Sequence, residues 1–172
     1  MGRDKAFLPF RGGVLAQFIG DQVAAAAGDA TLIGDPSRYA SFGYPVIPDR
    51  YPGEGPLGGI LTALQHSTRD WNLVVACDMP GITSAFLVRL LEAAENSGGE
   101  ALIPVRQPER PEPLCAVYHR NSLLGLETAF QHGERKIMTA LAGMRMVRFP
   151  IDEPALFRNL NTPEDWAAYA RE

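Results

Sequence analysis

Four places in this 172-residue chain carry residue types suited to chemistry. The first is Asp78, in VVACDMPG. It follows the apolar run Asn72 to Cys77, so a strand there would bring its carboxylate to the strand's carboxyl end. A hard oxygen ligand in that place suits Mg²⁺, which binds through one or two carboxylates plus substrate phosphates. The competing reading is a turn residue that satisfies backbone amides ahead of the next helix. The second place is EGPLGGI, where Gly55, Gly58 and Gly59 flank a turn into a helix. Absent side chains let backbone amides approach a ligand closely, and a helix N-terminus favours anions. Ordinary loop punctuation or tight helix packing explains such glycines equally well, and a lone Gly-rich turn leans that way. Asp49, just ahead of this loop, can accept two N–H bonds from the amidine edge of a guanine, an arrangement that cytosine and uracil do not offer. Taken alone, Asp49 reads as a solvated turn residue.

Lys5, in MGRDKAFLPF, is the third. An ammonium neutralises phosphate as a point charge, although an isolated lysine is usually a surface residue. Fourteen Arg against two Lys, Lys5 and Lys136, make each lysine worth a question. The fourth place is NLNTPEDW, where Asn159 and Asn161 would share one face of an extended segment. Local turn bonding competes with that reading. His66, His119 and His132 are scattered, and Cys77 and Cys115 fall in apolar strands, where buried structural thiols are commoner than reactive ones.

Composition narrows the class. Hydrophobic residues at 46% and charged residues at 21% suit a folded domain and exclude a disordered or collagen-like chain. The length suits a single domain. A net charge of −4 argues against a nucleic-acid partner, yet one local positive pocket suffices for an anionic small molecule. The longest stretch without Asp, Glu, Lys or Arg, Gly55 to Thr68, is too short and too polar to span a bilayer, and the first ten residues hold no apolar signal core. Two Cys make no disulfide framework. The expectation is a soluble, cytoplasmic protein.

The elements that must position these residues alternate. Helices are predicted over Val14 to Ala27, Pro56 to Ser67, Ser84 to Asn96, Asn121 to Phe130 and Lys136 to Leu141, with a last one capped by Thr162 and Pro163. Strands are predicted over Ala30 to Ile33, Tyr44 to Ile47, Asn72 to Cys77, Ala101 to Pro104, Leu114 to Tyr118 and Met144 to Phe149. The continuous apolar run of Asn72 to Cys77 marks a strand buried on both faces. This alternation gives an α/β layer fold with a mostly parallel sheet, in which ligands sit beyond the carboxyl ends of the strands.

Taken in order, MGRDKAFLPF, IPDRYPGEGPLGGI, VVACDMPGI, EPLCAVY, GERKIM and FRNLNTPEDW cover nearly the whole chain. This set resembles the molybdenum cofactor guanylyltransferase family. The resemblance implies one Rossmann-like, three-layer nucleotide-diphospho-sugar transferase domain over residues 1–172. It implies transfer of GMP from GTP to Mo-molybdopterin with release of pyrophosphate. Residue by residue, Lys5 matches the phosphate-binding lysine of the family's M-G-x-D-K signature. Asp49 and Gly55 fall at its GTP-binding loop, and Asp78 matches the acid that binds Mg²⁺ and nucleotide. Asn159 and Asn161 match the N-x-N-T-P signature on the pterin side. Arg135 and Lys136 match a basic pair facing the second, anionic substrate. Molybdoenzymes or cofactor-delivery proteins would be the protein partners.

Two departures bear on this. The Asn that the family carries after the strand matching Ala30 to Ile33 is Gly34 here, which puts that contact in question. Family members also begin with a strand and an L-A-G-G-x-S-x-R loop ahead of the signature that opens this chain. The domain is therefore expected to be N-terminally incomplete relative to the family, with Met1 an internal methionine. Strand edges left unpaired by a missing central strand would favour aggregation. A cytidylyltransferase of the same fold and a degenerate, non-catalytic nucleotide-binding domain are the alternatives.

Overall fold

Apolar residues at helical spacing define the first long element. In the computed structural model, which describes residues 4–106, 109–157 and 169, two short strands, β1 (Pro9–Phe10) and β2 (Gly13–Val14), form a hairpin that leads into helix α1 (Leu15–Ala27). The hairpin turns on Arg11 and Gly12, both with positive φ. Helix α1 buries Leu15, Ala16 and Ile19 along one face and stops on Gly28, whose left-handed backbone (φ 86°) costs glycine nothing. The parallel pair β3 (Leu32–Ile33) and β4 (Val46–Ile47) brackets the short helix α2 (Pro36–Tyr39). Helix α3 (Pro56–His66) begins on proline at its first position, where the missing N–H costs nothing, and buries Leu57, Ile60, Leu61 and Leu64.

The remaining elements are β5 (Trp71–Val75), α4 (Ser84–Glu95), β6 (Ala101–Arg106), β7 (Arg110–Pro111), β8 (Cys115–His119), α5 (Ser122–Gln131), α6 (Ile137–Ala140) and β9 (Met146–Ile151). Thr83 caps α4 by accepting the Phe86 N–H at 3.3 Å. Strand β8 lies between β5 and β6 and runs against both, while β9 runs parallel to β6 on its other edge. Strands β5, β6 and β9 thus point the same way, as the α/β pattern predicts, but the sheet is mixed. The inserted β8 makes the ladders beside it antiparallel. The period of two then sorts the core. Ala101, Ile103, Ala116 and Tyr118 face α3, α5 and α6, whereas Leu102, Cys115 and Val117 face α4 and part of α1. These are the three layers of an α/β sandwich.

Strand β5 departs from expectation. Val74 packs on the α3 and α5 side and Leu73 and Val75 on the α4 side, so both faces are covered as expected, yet its five residues are only half-buried because β8 covers just one of its edges. Its other edge faces β3 across a cleft of about 400 Å³, walled by Ala16, Ile19 and Val23 of α1 and by Ile60 and Ala63 of α3. After β6 the chain forms a hairpin, in which β7 folds back on Val105 and Arg106. The helix expected from Thr162 onward lies outside the described residues, as do Asn159 and Asn161. Among the described residues, no helix is long and apolar enough to cross a membrane.

Leu61 is fully buried where α3 meets the sheet and α5. Leu61→Ala is expected to cost about 2–5 kcal/mol, from lost transfer energy plus the cavity left behind. A urea melt with an unchanged slope and a lower midpoint would register it.

Candidate active site

The carboxyl ends of the parallel-pointing strands are where the motif residues should gather. Beyond β5 the chain stays beside β8 for one more residue, with the Ala76 N–H donating to the Leu114 carbonyl (2.7 Å). The next turn is pinned by Met79 and Ile82, both buried, and the Ile82 N–H closes it on the Met79 carbonyl (3.1 Å). Asp78 is therefore held at the mouth of the strand by anchors on its far side. Its Oδ2 lies 3.2 Å from Lys5 Nζ, a contact between residues 73 apart, with the two side chains 28% and 30% exposed.

A carboxylate that sequence reasoning passed over sets the position of Lys5. Asp4 Oδ1 accepts the Ala6 N–H (3.1 Å) and so caps the 3-10 turn Lys5–Phe7. Asp4 Oδ2 accepts from Arg38 Nη2 (2.8 Å) and from the Tyr39 hydroxyl (2.6 Å), which docks this turn on α2. Partial burial and this bond to an anion push the Tyr39 phenol up to about 12. A Cβ on Gly34 would stand 2.5 Å from the Tyr39 ring. The space beside Gly34, where the resemblance expects an Asn, is thus filled by the ring that braces Asp4.

Cys77 stands next to Asp78, yet its thiol is no nucleophile at neutral pH. Burial first, and then the neighbouring carboxylate charge, push it up to about 11. Burial raises Cys115 in the same direction.

Asp49 is a turn residue, as read, but not a solvated one. Its Oδ1 accepts the Tyr51 N–H (3.0 Å) and lies 3.1 Å from the hydroxyl of Thr62, a fully buried polar residue of α3. Asp49 Oδ2 has no protein partner among the described residues, which leaves that oxygen's acceptor sites for a ligand. The glycines divide by cause. Gly55 has φ 82° and ψ −177° at the start of α3, a backbone that favours glycine. Gly58 yields to packing, since a Cβ there would meet the Tyr51 Cβ at 2.8 Å. The start of α3 (Pro56 and Gly59) and the neighbours of the ion pair (Asp4, Ala6 and Cys77) line the same cleft.

Arg135 and Lys136 lie in a turn preset by Glu134, whose carboxylate accepts both of their backbone N–H groups (2.8 and 2.7 Å). Those two bonds hold the Glu134 carboxyl below its ordinary range. Arg135 pairs with Glu54 of the glycine-rich loop through Nε (2.6 Å), so the structure joins two motifs that are 81 residues apart. Lys136 is exposed, and its ammonium has no protein partner among the described residues. At the end of β6, Arg106 donates to Glu112 through Nε (2.6 Å) and Nη2, with its guanidinium 5.7 Å from the Phe157 ring. Phe157, buried, anchors the chain just ahead of the N-x-N segment.

The described residues hold no cluster of three or more His, Cys, Asp or Glu. A dedicated protein cage for a metal is therefore absent among them. A lone half-buried carboxylate fits Mg²⁺, which keeps waters and takes substrate phosphates as ligands.

The chain is similar to proteins of one known family. Residues 1–146 match the model of the MobA-like NTP transferase domain. The chain belongs to that family. It is 32% identical to the molybdenum cofactor guanylyltransferase of Cupriavidus metallidurans, over 95% of this chain and 84% of that protein. It is 35% identical to the probable molybdenum cofactor guanylyltransferase of Deinococcus radiodurans, over 96% of this chain and 85% of that protein. Molybdopterin-guanine dinucleotide biosynthesis protein A from Archaeoglobus fulgidus superposes with a TM-score of 0.82, at 27% identity, covering 99% of this chain and 90% of that one. Family membership makes the chain a nucleotidyltransferase, and the expected Rossmann-like fold stands.

The raised thiol gives a pH dependence. Cys77 ionises near 9 when unfolded and near 11 when folded, so above pH 9 the unfolded chain binds fewer protons. Stability must therefore fall as pH rises through that window, by about 1–2 kcal/mol from Cys77. Urea midpoints at pH 8 and pH 10.5 are expected to differ in that sense, and Cys77→Ser should reduce the difference without abolishing it, because Cys115 shifts in the same direction.

Proposed function

We propose that this chain transfers GMP from GTP to Mo-molybdopterin in the cytoplasm and releases pyrophosphate. A terminal phosphate oxygen of the molybdopterin attacks the α-phosphorus of GTP. The new P–O bond forms as the bond to the β-phosphate oxygen breaks, and pyrophosphate leaves with that electron pair. The observation that carries this reading is the Lys5–Asp78 pair at the end of β5. It sets a cation and a metal-binding carboxylate side by side beyond the strand ends, where an α/β sheet binds its ligand.

Two anions must meet in this reaction, so positioning and charge neutralisation are the protein's main tasks. Asp78 would hold Mg²⁺, which would supply Lewis-acid neutralisation of the phosphate oxygens. Lys5, whose ammonium lies at the same strand end, neutralises the triphosphate. The amides at the start of α3, opened by Gly55, face the nucleotide. Asp49 accepts the N–H groups of guanine. Because Oδ1 is taken up by Tyr51 and Thr62, those N–H groups converge on Oδ2. Arg135 and Lys136, with Asn159 and Asn161, receive the second substrate. No protein nucleophile takes part, in keeping with the protonated Cys77.

Asp78→Asn keeps the shape and removes the charge. It is expected to lower GTP-dependent turnover about 10²-fold or more at fixed Mg²⁺. Near-normal turnover would remove Asp78 from the mechanism. Asp49→Ala is expected to weaken GTP about 10- to 100-fold, the worth of a hydrogen bond to a charged group, and to leave CTP unaffected. Titrations with both nucleotides check this, and tighter CTP binding in the unaltered protein would favour a cytidylyltransferase.

A further inference from the structure

We infer that Glu54 is a positioning residue for the anionic second substrate and acts through Arg135. The inference rests on the reading of Arg135 as a contact to Mo-molybdopterin. The guanidinium of Arg135 is fixed on three sides. Nε donates to Glu54 Oε2 (2.6 Å), and Nη1 donates to the carbonyls of Phe130 (2.8 Å) and Glu134 (2.9 Å). Its central carbon lies 3.8 Å from the centroid of the Phe130 ring. An arginine has five N–H donors in a rigid fork. Three are used here, and among the described residues the two on Nη2 have no partner. What remains is an outward pair of donors in a set orientation, the geometry that recognises a phosphate or carboxylate.

Stability does not explain the Glu54 contact. The two side chains are 49% and 38% exposed, and ion pairs that open to water contribute little. Placement explains it better. Glu54 belongs to the loop that begins with Asp49, and its N–H donates to the Tyr51 carbonyl (3.1 Å). The Tyr51 ring packs on Phe130 at a tilt (centroids 4.8 Å), so Tyr51, Phe130 and Arg135 form one cluster, with Glu54 closing it from the loop side. The residue that receives the purine and the one that receives the acceptor anion are thereby fixed to the same small cluster. Holding two reactants in register is worth more to the rate than either contact alone. Glu54 also opposes the positive charge of Arg135, so its value lies in orientation and not in attraction.

This makes the carboxamide the informative replacement. Kinetics at saturating GTP and Mg²⁺, with Mo-molybdopterin varied, test the idea. Glu54→Ala frees the fork and is expected to raise the KM for Mo-molybdopterin about tenfold, while the KM for GTP holds. Glu54→Gln keeps an acceptor oxygen, removes the opposing charge, and should return the acceptor KM to the native value or below. In an Arg135→Ala background, Glu54→Ala should have no further effect. The inference is overturned if Glu54→Ala leaves the acceptor KM unchanged, if Gln fails to rescue it, or if the effect survives without Arg135. Arg135→Ala with an unaltered acceptor KM would instead overturn the placement of Arg135, and an inactive native protein would overturn guanylyl transfer itself. Thermal melts of each variant separate these outcomes from loss of fold.

Discussion

A carboxylate beyond the end of a half-buried strand must be given a positive partner, or the strand end must be left open to water. In this fold Asp78 is given Lys5, carried there by the first described turn of the chain and held by a second carboxylate, Asp4. Everything around the pair serves that contact. Met79 and Ile82 pin the turn from below, and Arg38 and Tyr39 brace Asp4 from the side. The pair is half-exposed, so the Coulomb gain is modest and exchangeable. The proposed reaction, which brings a metal and a triphosphate to this place, would benefit from that. A fully buried pair would cost several kcal/mol to break.

The second organising feature is the way that two loops are fixed to one helical layer. Asp49 is tied to α3 through Thr62, and the loop that follows is tied to the end of α5 through Tyr51, Phe130 and Arg135. Helices α3 and α5 pack on the same sheet face, so the nucleotide loop and the basic turn have a common foundation. Sites built on rigid elements hold their geometry better than sites built on free loops. The glycines of EGPLGG make this possible for different reasons: Gly55 for backbone sign, and Gly58 for close approach to Tyr51.

Gly34 illustrates how the lack of a side chain is used. The side chain missing at Gly34 makes room for the ring of Tyr39, whose hydroxyl bonds Asp4. A local change is thereby converted into support for Lys5, two elements away. The inserted β8 has an equally wide effect. By reversing direction between β5 and β6 it brings the Leu114 carbonyl to the Ala76 N–H, and so extends the support of β5 toward Asp78.

The amino-acid order alone determined helices α1, α3, α4, α5 and α6 but not the short α2, because spacing of apolar residues, Thr83 as a cap and Pro56 at a first position act within a turn or two. It also determined that Asp78 would lie beyond a strand, although β5 stops at Val75 and not at Cys77, and that Gly55 would open a helix. The chain could not announce that β5 would be half-buried, since an apolar run reads the same whether one edge or both are covered. Nor could it reveal that Asp4 governs Lys5, or that Thr62 saturates one oxygen of Asp49; a polar residue on the apolar face of α3 was the only local sign. Glu54 carried no sign at all. Its partner lies 81 residues away, as that of Lys5 lies 73 away. Such pairings are decided by strand order and helix packing, which bring together groups whose own neighbourhoods in the chain contain nothing that refers to one another.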